Sequence, residues 1–159
     1  MHRHLISRSR YKNNVKLASI IYLHRISDNR MAGSVLKSLE LFSKLCGQKA
    51  LPSVVFATTM WNAVNEETGL RRQRELEDRF WNEMMENGCR TAHFNTTFAS
   101  AWDIVGSLDD ETSEGATLDI QEEMVVSGKM LHETTAFEII REGIPQWLLE
   151  LFRRSSIYR

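Results

Sequence analysis

Two cysteines and two prolines are all that the 159 residues carry. Cys46 and Cys89 are too few for a disulfide framework, so the chain reads as a protein of a reducing, cytoplasmic compartment. No apolar run approaches the ~20 residues of a membrane span, and the N-terminus has no hydrophobic secretion region. Net charge is also lacking. At -1 it gives no global attraction to nucleic acid or to an anionic membrane. Several motifs are missing as well. There is no Gly-x-x-x-x-Gly-Lys-Ser/Thr phosphate loop, no Cys/His set with metal spacing and no Gly-x-Ser-x-Gly elbow. No pair of carboxylates stands at matched strand ends, and there are no internal repeats. These absences leave a site for binding and show no engine for catalysis.

The charge that is present is unevenly placed. Residues 1–16 contain Arg3, Arg8, Arg10, Lys12 and Lys16 and no acid, with scattered apolar positions, and read as a basic, disordered tail. Its acid-free, Arg- and Ser-bearing character is the one property it shares with a transit peptide. His2 and His4 lack the partners a metal site needs. Residues 109–128 contain Asp109, Asp110, Glu111, Glu114, Asp119, Glu122 and Glu123 and no base, which reads as a solvated acidic segment.

The chain is organised around SVVFATTMWNAV, residues 53–64. Val54 to Ala57 form an apolar run without alternation, as in a strand of a parallel sheet buried on both faces. Pro52 precedes it, where a missing N–H does least harm. The strand ends in Thr58 and Thr59, and ligands of open α/β sheets bind at such carboxyl ends. Thr58, Thr59, Trp61 and Asn62 are therefore the first candidate site residues. Their plain alternative is a strand-to-helix turn.

Leu17 to Leu23, LASIIYL, is a second apolar strand, ending in the polar stretch from His24 to Asp28. From Ala32 to Cys46 apolar residues recur at three and four, which predicts a helix, with Gly47 at its C-cap. After Gly69, the pattern of Leu76, Phe80, Trp81, Met84 and Met85 predicts a second helix ending at Gly88. Glu75 and Arg79 pair on its solvated face. Cys89 to Phe94 is a third, shorter strand, ending at Asn95, Thr96 and Thr97. Phe98 to Leu108 predicts a third helix. Such alternation means a parallel sheet with right-handed crossovers. The expected strands lie near 18–23, 53–58 and 90–94, with 53–58 central. Leu118 to Thr135 reads as a long helix interrupted by Gly128 and continued by Ala136 to Glu142. Trp147, Leu148, Leu151 and Phe152 form the apolar face of a last one.

The segments IIYLHRISDNRMAGSVLKSLELFSKLCG, SVVFATTMWNAV and FWNEMMENGCRTAHFN resemble a group of fungal G-domain proteins. Those are P-loop GTPase-like proteins related to the GTPases of immunity-associated proteins. LDIQEEMVVSGKMLHET is similar to the helical extension that follows the G domain in that group. The resemblance covers about residues 17 to 135 and is specific in YLHRISDNRM and TTMW. It implies an α/β fold: a partial, three-layer P-loop NTPase domain of about three parallel strands. The implied division is a tail at 1–16, the C-terminal half of a G domain at 17–108, and an acidic loop with a helical extension at 109–159.

The resemblance also implies site residues. Arg25-Ile26-Ser27 is similar to the Arg-aromatic-Thr box of the immunity-associated GTPases. Thr59, Trp61 and Asn62 match their Thr-Lys-x-Asp base-recognition motif, and Asn95 matches the asparagine that approaches the base. The implied ligand is GTP or GDP, with Mg²⁺ where the phosphate-binding half is present. Three departures stand against full function. The phosphate loop, first switch and Asp-x-x-Gly motif belong before residue 17 and are absent there. Asp103-Ile-Val-Gly106 matches the last only inside a helical pattern. Met60 replaces the motif lysine, and Asn62 replaces the aspartate that would accept two hydrogen bonds from guanine.

The chain is accordingly expected to be truncated, to bind guanine nucleotide weakly or not at all, and to lack hydrolase activity on its own. The alternative is a non-catalytic protein-interaction module using an exposed strand edge and apolar helices. Self-association through the Leu17–Leu23 edge is one form of that alternative. Neither reading includes a nucleic-acid partner or a membrane span.

Overall fold

The computed structural model describes residues 17–28, 31, 33–106 and 115–141. In chain order the main elements are β1 (Ile20–Arg25), α1 (Gly33–Cys46), β2 (Val54–Thr59), α2 (Glu66–Leu76) and α3 (Asn82–Glu86). Then come β3 (Arg90–His93), α4 (Phe98–Gly106), α5 (Asp119–Gln121) and α6 (Thr135–Arg141). The fold is mixed α/β. Its three strands are parallel, in the order β1-β2-β3, with β2 central as expected.

The chain forms two compact units. The first comprises Lys16–Met31 and Gln48–Ala116 and contains the whole sheet. The second comprises Ala32–Gly47 and the described part of Thr117–Arg159. The helix between β1 and β2 therefore groups with the C-terminal segment. That division does not follow chain order as the boundaries 17–108 and 109–159 do.

In the first unit, Val54 to Thr58 are all buried, because β2 has a strand on each side and packing on both faces. One face carries Phe56, which stacks on Trp81 at 4.7 Å between centroids, with Tyr22 edge-on to Phe56 at 5.5 Å. Phe56 and Trp81 are fully buried, and each such side chain contributes about 1.5–3 kcal/mol. The other face carries Val55 and Ala57, which pack with Ile104 of α4 and with Ala92 and Phe94.

β1 is less covered than its composition suggests. It runs from Ile20 to Arg25, and Leu17 instead makes an isolated antiparallel bridge with Ala116. Ile21 and Leu23, in register with Val55 and Ala57, are 40 % and 65 % exposed. Among the described residues no strand pairs with the other side of β1.

Two helix boundaries differ from the sequence reading. α2 begins at Glu66, with Asn65 Oδ1 accepting from the Thr68 N–H at 2.8 Å, so Gly69 lies inside the helix. A π-helical turn, Glu77–Trp81, joins α2 to α3. It turns Trp81 into the core and leaves Phe80 half-buried.

In the second unit, α1 packs on α6, burying Leu39 and Cys46 on one and Ala136 and Phe137 on the other. The expected long helix from Leu118 is broken. α5 passes into a π-helical turn, Glu122–Val126, and the chain is then irregular until a 3-10 turn at Leu131–Glu133. Gly128 takes φ +69°, a left-handed conformation that ends the helix. The Glu123 carboxylate then holds both sides of the break. It accepts from Lys129 Nζ at 2.7 Å and from the Thr135 N–H at 3.1 Å, at the start of α6. The expected helix around Trp147 and Phe152 lies outside the described residues. Among the described residues no helix is long and apolar enough to cross a membrane.

Candidate functional site at the carboxyl edge of the sheet

Parallel pairing places the carboxyl ends of all three strands at one edge. The central strand's end is pinned from both sides. The Ile26 N–H donates to the Thr59 carbonyl at 2.9 Å, and the Phe94 N–H to the Thr58 carbonyl at 2.8 Å. The three predicted segments, Arg25–Ser27, Thr59–Asn62 and Asn95, are thereby neighbours along that edge.

At the end of β1, Arg25 is exposed, and its Nε lies 3.6 Å from Asp28 Oδ1. Ser27 Oγ is buried with no hydrogen-bond partner among the described residues. The turn is held from α2, where Arg72 Nη1 donates to the carbonyls of Ile26 at 2.9 Å and Ser27 at 3.1 Å. Arg72 reads as a solvated charge in sequence. Nothing local marks it, because its acceptors are backbone groups more than forty residues away.

At the end of β2, Thr58 is fully buried, and its hydroxyl donates to the Ala92 carbonyl at 3.3 Å. The Thr59 hydroxyl donates to the His24 carbonyl at 3.3 Å. Met60 takes φ 62°, and a short 3-10 turn, Trp61–Ala63, follows it. The Trp61 indole N–H donates to Thr58, and its ring lies against His93 at 4.1 Å between centroids. Its other neighbour is Gly69, where an added Cβ would stand 2.7 Å from Trp61 Cζ3. Trp61 is thus engaged inside the edge rather than presented from it, while Asn62 is exposed.

At the end of β3, Asn95 is exposed, and its backbone N–H donates to Ser100 Oγ at 3.1 Å. Thr96 takes φ 59°. Thr97 accepts from the Ser100 N–H at 3.1 Å, capping the start of α4. Sequence reasoning singled out neither His93 nor Gly69 at this edge. A glycine inside an otherwise polar helix, eight residues after a tryptophan, was the available signal for the second.

The edge also carries titratable groups. His24 is 7 % exposed, and burial lowers its pKa below the ordinary 6.5 against the opposing pull of Asp28. Among the described residues no group of three or more His, Cys, Asp or Glu is placed to hold a metal ion. Neither Cys46 nor Cys89 is in a disulfide, and both are buried. Burial, with the negative charge of Asp119 beside it, pushes the Cys46 thiol up to about 11, which makes it a poor nucleophile. No family model, curated protein or solved structure matches the chain.

Proposed function

We propose that these residues form the base-recognition side of a P-loop GTPase-like protein related to the GTPases of immunity-associated proteins. In this reading the 159 residues alone bind guanine nucleotide weakly at most and do not hydrolyse it. The supporting observation is a pair of left-handed residues. Among the described non-glycine residues only Met60 and Thr96 have positive φ, one after β2 and the other after β3. A β-branched residue such as Thr96 rarely adopts that conformation, and strained backbone of this kind clusters at ligand-binding loops. Both positions fall in the two loops that the resemblance assigns to the base.

The chemistry of Asn62 limits affinity. Its amide offers guanine one acceptor and one donor group, so one of two hydrogen bonds becomes a donor–donor clash. Phosphoryl transfer depends on positioning and charge from a phosphate loop and its metal, and no such loop motif is in these residues. The test is titration with a fluorescent GTP analogue. Weak or absent binding is expected, strengthened about tenfold or more by Asn62→Asp, the usual worth of one good bidentate contact to a base. Tight, Mg²⁺-dependent GTP binding or GTP hydrolysis by the unmodified chain would overturn this reading.

A second reading, the protein-interaction module, is favoured by α4. Phe98 and Trp102 are 83 % and 62 % exposed and stack on each other at 6.1 Å. With Val105 they form an apolar stripe on the side of α4 opposite buried Ile104, and exposed aromatic groups of this kind are enriched at interfaces. A chain that ignores the nucleotide but self-associates in sedimentation, and loses that association with Trp102→Ser, would favour this second reading.

A further inference from the structure

The end of β1 opens into a cleft that does not involve Asn62 or Asn95. It lies between the turn after β1 and the outer side of α2 and holds about 170 Å³. Pockets for drug-sized ligands are larger, at roughly 300–1,000 Å³, so this space suits a small molecule. One part of its wall is apolar, formed by Met31, Leu76 and Phe80. The polar part is His24, Asp28, Arg72 and Glu75.

Three features of the polar part point to a cation. First, two carboxylates reach the cleft from different elements, Asp28 from the turn and Glu75 from α2. Arg72 is turned towards the backbone, with Nη1 donating to the Ile26 and Ser27 carbonyls. Second, the partners of the carboxylates are loosely held surface arginines. Arg25 lies 3.6 Å from Asp28, and Arg79 lies 3.4 Å from Glu75, with arginine side chains 64 % and 71 % exposed. Such pairs are worth about 0–1 kcal/mol, so a ligand can displace them. Third, His24 is more than nine-tenths buried and lines the cleft, and among the described residues its imidazole has no hydrogen-bond partner. In its neutral form one ring nitrogen of that imidazole is an acceptor.

We propose that this cleft binds a small primary amine as its ammonium ion. The N–H donors go to Asp28, Glu75 and His24, and the apolar body lies on Met31, Leu76 and Phe80. The cleft shares Ile26 with the strand-end box of the guanine reading, but none of the three groups that would hold the ammonium, His24, Asp28 and Glu75, belongs to that reading.

The test is an NMR titration of the isotopically labelled chain with benzylamine, beside benzyl alcohol as its uncharged counterpart. Saturable shifts centred on His24, Asp28 and Glu75 are expected with benzylamine. Benzyl alcohol should bind at least about tenfold more weakly, as expected for loss of a charge-assisted contact. Asp28→Asn and Glu75→Gln should each weaken benzylamine by a similar factor, and Asn62→Ala should leave it unchanged. Equal binding of the amine and the alcohol, shifts centred elsewhere, insensitivity to both carboxylate variants, or no saturable binding would each overturn the proposal. The comparison of the two ligands on the unmodified chain decides the matter even where a variant folds poorly.

Discussion

The indole Nε1 of Trp61 donates both to Thr58 Oγ1, at 3.1 Å, and to the Thr58 carbonyl, at 3.2 Å. This bond fixes the first turn after the central strand. It lays the Trp61 ring between His93 and the backbone of α2 at Gly69. The edge where the candidate residues meet is thus braced by a side chain that the sequence alone offers as a ligand contact.

A first prediction concerns Gly69. In an exposed helix interior, alanine in place of glycine stabilises by about 0.5–1 kcal/mol. Here the new methyl would stand 2.7 Å from a ring held by Thr58 and His93. Gly69→Ala is therefore expected to destabilise by about 1–3 kcal/mol, the usual cost of overpacking. Combined with Trp61→Leu, the same substitution should regain its favourable sign. The urea midpoints of the unmodified chain, both single variants and the double variant measure this, and a stabilising Gly69→Ala by itself would contradict the close approach.

Stability should depend on pH in two separate windows. His24 has a folded pKa below 6.5, so the unfolded chain takes up its proton first as pH falls. Stability is full above 6.5 and declines from there towards the folded value. The urea midpoint is therefore expected to fall as pH is lowered below 6.5. His24→Asn, which carries no titrating ring, should flatten that slope. An unchanged slope in the variant would assign it to other groups.

Glu123 acts at lower pH. Burial alone would raise its pKa, but hydrogen bonds from Lys129 and Thr135 and the charge of Lys129 outweigh that and lower it below 4.5. Its contribution is complete above 4.5 and is lost as pH falls through the folded value. Glu123→Gln should remove this acid-labile part and loosen the start of α6, seen as faster amide exchange at Thr135. Unaltered exchange there would show that the carboxylate does not hold the break.

Self-association, where it occurs, should respond to the side chain that β1 exposes. Leu23 is 65 % exposed, whereas Ile20 is half-buried, so a charge belongs at position 23. A hydrophobic edge strand invites pairing with another chain, and lysine is the common guard against it. Leu23→Lys is expected to lower light scattering at high concentration, while Trp102→Lys tests the α4 stripe separately. A reduction by the second variant alone would place self-association on α4.

Much of the sheet was legible because β2 is buried on both faces. Such a strand needs an unbroken apolar run, and Val54 to Ala57 have one. The positions of α1 and β3, the cap at Gly47 and the Glu75–Arg79 pair likewise follow from local periodicity and spacing. What the sequence by itself determined was three parallel strands and the edge at which their polar ends meet. Tertiary structure decided the rest, because those features depend on partners distant in the chain. Gly69 is inside a helix because a tryptophan ring needs the room. Arg72 is bound because two carbonyls at the end of β1 face it. The helix expected across Gly128 stops because a left-handed glycine lets Glu123 reach Lys129 and Thr135. His24 is buried beside a cleft because Trp81 meets its ring edge-on and Arg72 of α2 holds the turn that follows its strand. In each case the deciding energy is a close contact or a hydrogen bond between residues that no local pattern relates.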